Sequence, residues 1–508
     1  MPTMAFQQPS TWPRSATDSH DPYKYQLGFG NHHVTEAVPG ALPPHGTNIP
    51  QKGRYGLYAE HLNGTPFISG RNTVANVWMY RGKPAAAHHP LLRQVGESYN
   101  PLESCFLPTN SNVAFTPLSF TWGPLRSKYS SSSTTKPKAT FIQGLRTIGG
   151  HGDATLKEGL AVHQYEFNLD MDREAFVNHD GELLVVPHQG ALDIKTELGS
   201  LLVKPGFVVV LPAGIRFSVQ IVRAVGDQPS EIKATGYALE VFGTRYALPD
   251  LGVLGANGLA HDRDFEYPVA RFDLDTDDDS SPFCVTVKIS GRLFSYTQPH
   301  TSFDVVAWHG RYAPYRYDLS RFCHLTANTD QLDPTSYCVL TAPSKWPGVS
   351  LVDFCIFGDK WAVSKDTLRI PYYHRNMATE LCGVIRGQYK GSVRPLEAGG
   401  LSFEQSYMPH GETYEAHKQA SEATNDPMKL EGSLFFMFNV SSHLALTRWA
   451  MEEHPDIRRE RPGIWASMQN HFLLHLKDAN ISLPDGNGLQ TLTPPKSPDG
   501  HTLINTDS

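Results

Sequence analysis

Between Phe141 and Phe242, segments suited to β-strands follow one another with hardly a break. Glu182-Leu183-Leu184-Val185-Val186-Pro187, Leu201-Leu202-Val203, Val208-Val209-Val210-Leu211 and Phe217-Ser218-Val219 are short, rich in branched residues and separated by turn formers. Runs of this length are too short for helices and fit strands buried in a sheet. Asn76-Val77-Trp78-Met79-Tyr80, Val339-Leu340-Thr341, Val352 to Phe357 and Leu434 to Phe438 repeat the pattern elsewhere. Gly 42 and Pro 38 supply the turns that such a succession needs. The expectation is a mainly β protein with peripheral helices, and 508 residues are enough for two parts.

Composition excludes several functions. A net charge of −7 offers no basic field for nucleic acid or an anionic membrane. No apolar run approaches the roughly 20 residues of a membrane span. Met1 to Asp21 carries no apolar core of a secretory signal. The six cysteines are scattered, without a Cys-x-x-Cys, which fits buried free thiols and a cytoplasmic enzyme. Residues 1–24 and 484–508 read as disordered. Arg126 to Thr135 is low in complexity and reads as an exposed loop. The acidic run Asp273 to Ser281 lacks the spaced ligands of a calcium loop.

The chemistry concentrates in Arg369-Ile370-Pro371-Tyr372-Tyr373-His374-Arg375-Asn376-Met377-Ala378-Thr379-Glu380. Pro371 favours an extended start, and the stretch is expected to be a strand. His374 and Glu380, six apart, then share one face. With His410, 30 residues downstream of Glu380, they form a candidate two-histidine, one-carboxylate triad for non-haem Fe(II). Asn376 and Gly387 complete His-x-Asn-x3-Glu-x6-Gly, which resembles the first motif of the cupin superfamily, small β-barrels with a metal at the mouth. Gly206-x5-Pro212-x-Gly214-x2-Phe217 resembles the second motif, with Phe217 at the position of the metal-binding histidine. The expected architecture is therefore two cupin-like (jelly-roll, bicupin) halves, the first structural and metal-free. A helix is expected over Arg461 to Leu476, with Ile464, Met468, Phe472 and Leu476 as its apolar stripe. His471 and His475 lack the Glu of a zinc-protease helix and read as ordinary surface residues.

Longer stretches extend the likeness. Gly28-Phe29-Gly30-Asn31, Leu57-Tyr58-Ala59-Glu60, Gly255 to Ala260, Phe303 to Gly310 and Pro371 to Asn376 resemble the homogentisate 1,2-dioxygenase family, over nearly the whole chain from Tyr25. The resemblance implies a β-domain over residues 25–300 and a cupin-like Fe(II) domain over 301–483. It implies His374, Glu380 and His410 as iron ligands and Tyr389 over a phenolic oxygen of the substrate, which His410 also borders. It implies O2 insertion and ring opening of a small 1,4-dihydroxybenzene, in a homo-oligomer (trimer or hexamer). Two histidines usual in the family are missing. Gln331 and Glu404 stand in their places as candidate catalytic groups. Glutamine does not titrate but can hydrogen-bond a phenol. A carboxylate at 404 repels an acidic substrate and suits a neutral hydroquinone such as methoxyhydroquinone, or serves as a base. The alternatives are a homogentisate enzyme with compensating groups, a weakly active paralogue, and a non-catalytic bicupin storage or binding protein.

Overall fold

The computed structural model describes residues 21–89, 93–95, 102–125, 138–223, 233–250, 260–274, 281–324, 334–362, 366–389, 396–424, 426–459 and 463–479. Most of the expected N-terminal disorder, the Ser-rich loop, most of the acidic run, Gly255 to Gly258 with Leu259, and the 484–508 tail lie outside these residues.

The expected strands form, over Gly181–Gln189, Gly199–Val203, Phe207–Leu211 and Arg216–Ile221 in the first half, and over Cys338–Pro343, Ser350–Phe357 and Leu434–Val440 in the second. The protein is mainly β. Its centre is a ten-stranded sheet with a seven-stranded sheet on each side. Alternate residues of the central strands serve two cores. Leu183, Val185, Val209 and Leu211 pack with Ile194, Leu201 and Val219 of the first outer sheet. Their neighbours Leu184, Val186, Val208 and Val210 pack with Leu381, Phe403, Phe436 and Phe438 of the second. A strand buried on both faces needs apolar side chains at every position, which explains the unbroken runs. Each such Val or Leu contributes about 1.5–3 kcal/mol on burial. The Tyr237 hydroxyl ties the layers, donating to the carbonyls of Val384 (3.0 Å) and Gly400 (2.8 Å).

The halves are interlocked. Val113–Phe115 pairs with Ala445–Thr447, which itself joins the central sheet beside Leu145–Asp153. A few residues later Phe120–Trp122 crosses to the second outer sheet and pairs with Leu401–Glu404 and with Ile457–Arg458. Strands on both sides of residue 300 belong to the same sheets. Val305–Gly310 pairs with His33–Glu36 and Asn76–Arg81, and Tyr315–Asp318 pairs with Phe207–Leu211 and Phe265–Pro268. Residues 305–318 are thus part of the N-terminal sheets, because their hydrogen-bonding edges are taken by N-terminal strands.

In the first half, Phe217 packs edge-on against Phe141 and Phe176. Nearby, Lys288 is buried with Glu240 and Asp180, its ammonium 2.7 and 2.8 Å from Glu240 and 2.8 Å from Asp180. Asn178 donates to Glu240 (2.7 Å) and His163 Nε2 lies 3.3 Å from it. Burial is the largest single influence and works against the Glu240 charge, but Lys288 and His163 together outweigh it and hold the carboxyl at about 2. All six cysteines are unpaired. Cys338 and Cys355 are buried as expected, whereas Cys323 is exposed because it lies in a loop. No helix among the described residues is long and apolar enough to cross a membrane.

His454 is a pH-sensitive tie between layers. It is buried, with Nε2 3.0 Å from Gln164 Oε1 and Nδ1 accepting from the Asp456 amide (3.1 Å), a pattern that requires the neutral ring. Burial pulls its pKa down to about 4. The folded value is below the ordinary 6.5, so its contribution is complete above that pH and is lost as pH falls towards 4. The expected loss is about 3 kcal/mol across that window. Urea midpoints at pH 7.5, 6 and 5 check this; equal midpoints would contradict it.

From residue 461 onward the chain forms a separate unit. The single helix expected over Arg461–Leu476 is instead a 3-10 turn at Ile464–Ser467 and a helix at His471–Asp478. Gly463 adopts φ 75°, and the Asn470 side chain accepts from the Leu473 amide (3.0 Å), so Asn470 caps the longer helix. The expected stripe is broken accordingly: Leu476 is buried, but Phe472 is exposed. His471 and His475 are both exposed.

Candidate metal centre

His374 does not lie in a regular strand. The strand begins at Thr379 and runs to Arg386, and His374 makes an isolated antiparallel bridge with His410. Asn376 is the cause. Its side-chain oxygen accepts from the Ala378 amide (2.9 Å) and its carbonyl accepts from the Tyr407 amide (2.6 Å), bending the chain before the strand. The face-sharing argument from strand spacing therefore does not apply, although the two side chains still converge. The paired backbones, with His374 N to His410 O at 3.1 Å and His410 N to His374 O at 3.0 Å, place the imidazoles side by side, ring centroids 4.2 Å apart.

The ligand atoms of His374, Glu380 and His410 lie within 4.8 Å of one another. His374 Nε2 is 3.6 Å from Glu380 Oε1, and His410 Nε2 is 3.4 Å from Oε2. Each Nδ1 is committed elsewhere, donating to the Tyr372 carbonyl (2.9 Å) and the Met408 carbonyl (3.0 Å). That assigns the proton to Nδ1 in the neutral rings and leaves both Nε2 lone pairs turned inward. His410 Nε2 is buried and meets no hydrogen-bond partner of acceptable geometry. Asn376 Nδ2 donates to Glu380 Oε1 (2.7 Å) and fixes the carboxylate. Burial opposes the Glu380 charge, but the two imidazoles and the Asn376 amide outweigh it and hold the carboxyl far below its usual range. Glu380 in turn raises His374, against burial. On His410 burial is the larger single influence, yet Glu380 and the Met408 carbonyl lift it to about 9. Such mutual stabilisation of opposite charges is what a bound cation replaces.

Glu404 lies directly opposite Glu380 in the neighbouring strand, so their side chains leave the sheet on the same face. Its negative charge contributes to the upward shift of His410. Ser119 donates to Glu404 Oε2. Register extends a polar row across the sheet through Thr341, Asp353, Asn439, Glu380 and Glu404. Tyr389 stands in a two-residue strand opposite Leu396, and its side chain lies outside the described part, as does the whole of Gln331. Sequence reasoning quoted Asn376 only as part of a pattern and missed its grip on Glu380. It missed Ser119 altogether, 285 residues from Glu404, for which no local signal exists.

Comparison with known proteins gives a consistent result. The family model described as homogentisate 1,2-dioxygenase N-terminal matches residues 24–319, and the one described as homogentisate 1,2-dioxygenase C-terminal matches 320–472. The homogentisate 1,2-dioxygenase of Caenorhabditis elegans is 41% identical over 459 residues, covering 89% of this chain and 99% of the relative. That of Drosophila melanogaster is 41% identical over 454 residues, covering 89% and 98%. That of Emericella nidulans is 38% identical over 458 residues, covering 89% and 96%. With two family models tiling it and relatives matched almost end to end, the chain belongs to the homogentisate 1,2-dioxygenase family of ring-cleaving dioxygenases.

Proposed function

We propose that this protein is an Fe(II)-dependent dioxygenase that opens the ring of a para-hydroquinone, with a neutral substituted hydroquinone such as methoxyhydroquinone preferred to homogentisate. The observation that carries the reading is the convergence of His374, Glu380 and His410, both Nδ1 atoms occupied and His410 Nε2 buried without a partner. Two imidazoles and one carboxylate form the donor set that suits Fe(II) and leaves positions for substrate and O2. Separations of 3.6 and 3.4 Å between the imidazole nitrogens and the carboxylate oxygens would let His374, Glu380 and His410 hold one ion between them. Bound there, Fe(II) supplies Lewis acidity and the reducing equivalents that activate O2.

The chain's own residues do the rest. The Tyr372 and Met408 carbonyls lock both imidazole tautomers, and Asn376 orients Glu380. Glu404, beside the triad, accepts a proton or a hydrogen bond from a ring hydroxyl and disfavours a second carboxylate. By resemblance to the family, Tyr389 holds a phenolic oxygen and Gln331 orients the ring. A homo-oligomer, trimer or hexamer, and a cytoplasmic location belong to the same proposal; light scattering tests the first.

Anaerobic reconstitution with Fe(II), then oxygen uptake with methoxyhydroquinone, homogentisate and gentisate, is the direct test. Uptake is expected with methoxyhydroquinone at a kcat/KM above that for homogentisate. The reverse order overturns the preference, and silence from all three with iron bound overturns the activity in favour of a storage or degraded protein. A further expected outcome concerns Asn376. Asn376→Ala frees the carboxylate and is expected to weaken Fe(II) binding by about 10–100-fold. Competition with a chelator measures this, and an unchanged affinity would remove Asn376 from the site's support.

A further inference from the structure

The polar row that crosses the second outer sheet ends on a residue from the first half of the chain. Phe120 lies opposite Phe403 and Thr121 opposite Ser402. Continued by one residue, the same antiparallel register sets Ser119 against Glu404. The hydrogen bond agrees, since the Ser119 hydroxyl donates to Glu404 Oε2. Glu404 therefore stands between two strands, with Glu380 opposite on one side and Ser119 on the other.

Two carboxylates directly opposite each other on adjacent strands repel. Glu380 is compensated by His374, His410 and Asn376. Glu404 takes a hydroxyl donor from the outer strand, which draws Oε2 away from the Glu380 side. Ser119 is held firmly enough to act in this way. Phe120 and Trp122, which follow it, are buried, and the Trp122 indole donates to the Ala450 carbonyl (2.7 Å). On the preceding side, the Thr116 carbonyl accepts from Gln405, the residue after Glu404 (3.4 Å). The position of the second negative charge at the site is thus set by a segment about 285 residues away in sequence.

We propose that Ser119 is a positioning residue for substrate specificity: by holding the Glu404 carboxylate beside the triad, it sets the discrimination between neutral and anionic hydroquinones. The proposal rests on the ring-cleavage reading given above for what the site turns over, and its binding arm does not depend on turnover. With the hydroxyl gone, Glu404 Oε2 loses its hold from the outer strand, and the penalty on a substrate carboxylate falls. A hydrogen bond to a charged group is worth a factor of about ten or more.

The experiment uses the full-length protein loaded with Fe(II) and compares Ser119→Ala, Ser119→Thr, Glu404→Gln and the Ser119→Ala/Glu404→Gln double variant. Anaerobic calorimetry measures Kd for methoxyhydroquinone and for homogentisate, and oxygen uptake measures kcat/KM for both. Ser119→Ala is expected to shift the neutral-to-anionic ratio about tenfold towards homogentisate in both measurements, with iron content unchanged. Ser119→Thr, which keeps the hydroxyl, is expected to stay near the wild-type ratio. In the Glu404→Gln background, Ser119→Ala is expected to have no further effect on the ratio. An unchanged ratio in Ser119→Ala while Glu404→Gln changes it would overturn the role of Ser119. An equal loss for both substrates, with loss of iron, would reduce Ser119 to a structural role and also overturn the proposal. If no variant and no wild-type sample consumes oxygen, the ring-cleavage reading fails, and the binding ratios alone decide the part played by Ser119.

Discussion

His410→Ala is expected to abolish iron binding and, with it, oxygen uptake. Three protein donors hold the proposed ion, and His410 is the most buried of the two histidines that contribute. Removing it leaves one imidazole and one carboxylate, too few donors to hold Fe(II) against water. The effect on folding is expected to be small. Glu380 loses its 3.4 Å contact with His410 Nε2 but keeps His374 and Asn376, and the bridge with His374 is made by backbone atoms that alanine keeps. Metal analysis after dialysis, paired with a urea melt, separates the two effects. Full iron content with normal uptake would show that His410 is not a ligand. A large fall in the urea midpoint would show that the residue supports the fold instead.

Lys288→Met is expected to have a large effect on stability. Its ammonium contacts two carboxylates, Glu240 and Asp180, all three buried. Methionine fills the space but leaves two acids without their cation, and breaking a buried pair in this way costs roughly 3–5 kcal/mol. Glu240→Gln in the same chain removes one stranded charge and is expected to recover part of the loss. The sign of the pH dependence follows from Glu240. Its folded pKa lies near 2, below the ordinary 4.5, so its stabilisation is present above pH 4.5 and is lost as pH falls towards 2. In Lys288→Met the cation that holds this pKa down is gone, so burial lifts it and that acid-side fall shrinks or reverses. Urea unfolding of the two variants and the parent protein checks the magnitude. A loss under about 1 kcal/mol would show that water or rearrangement compensates the acids.

The strands were legible because burial on both faces leaves a plain mark, an apolar run of strand length, as in Val208-Val209-Val210-Leu211. The triad was legible because residue types and spacing carry the chemistry whatever the local backbone does. His374 shows the limit of this. Strand alternation gave the convergence for the wrong reason, since the turn built by Asn376 produces it. Phe120–Trp122 was invisible as part of the second sheet, because three residues carry no periodicity and their pairing is fixed by strands nearly 300 residues away. The same holds for Ser119. Lys288, near the end of Phe283–Ile289, carries no local sign of its burial, which only the partners brought to it by other strands reveal. The helix after residue 461 was misjudged because its apolar spacing was read without Gly463 and Asn470, whose backbone preferences divide it.

The central sheet has a consequence for how such a protein can change over time. One of its faces is the lining of the first half and the other is the floor of the half that carries His374, Glu380 and His410. A half that contributes none of these three residues would ordinarily be free to shrink or to be discarded. Here it cannot be, because Leu184, Val186, Val208 and Val210 are the surface on which the second sheet rests, and Val113 to Trp122 threads through both. Gene fragments that encode either half alone would expose a whole sheet face to water. Inheritance therefore acts on the pair as one unit: drift in the first half is limited by the needs of the second, and a change in substrate preference can originate in either.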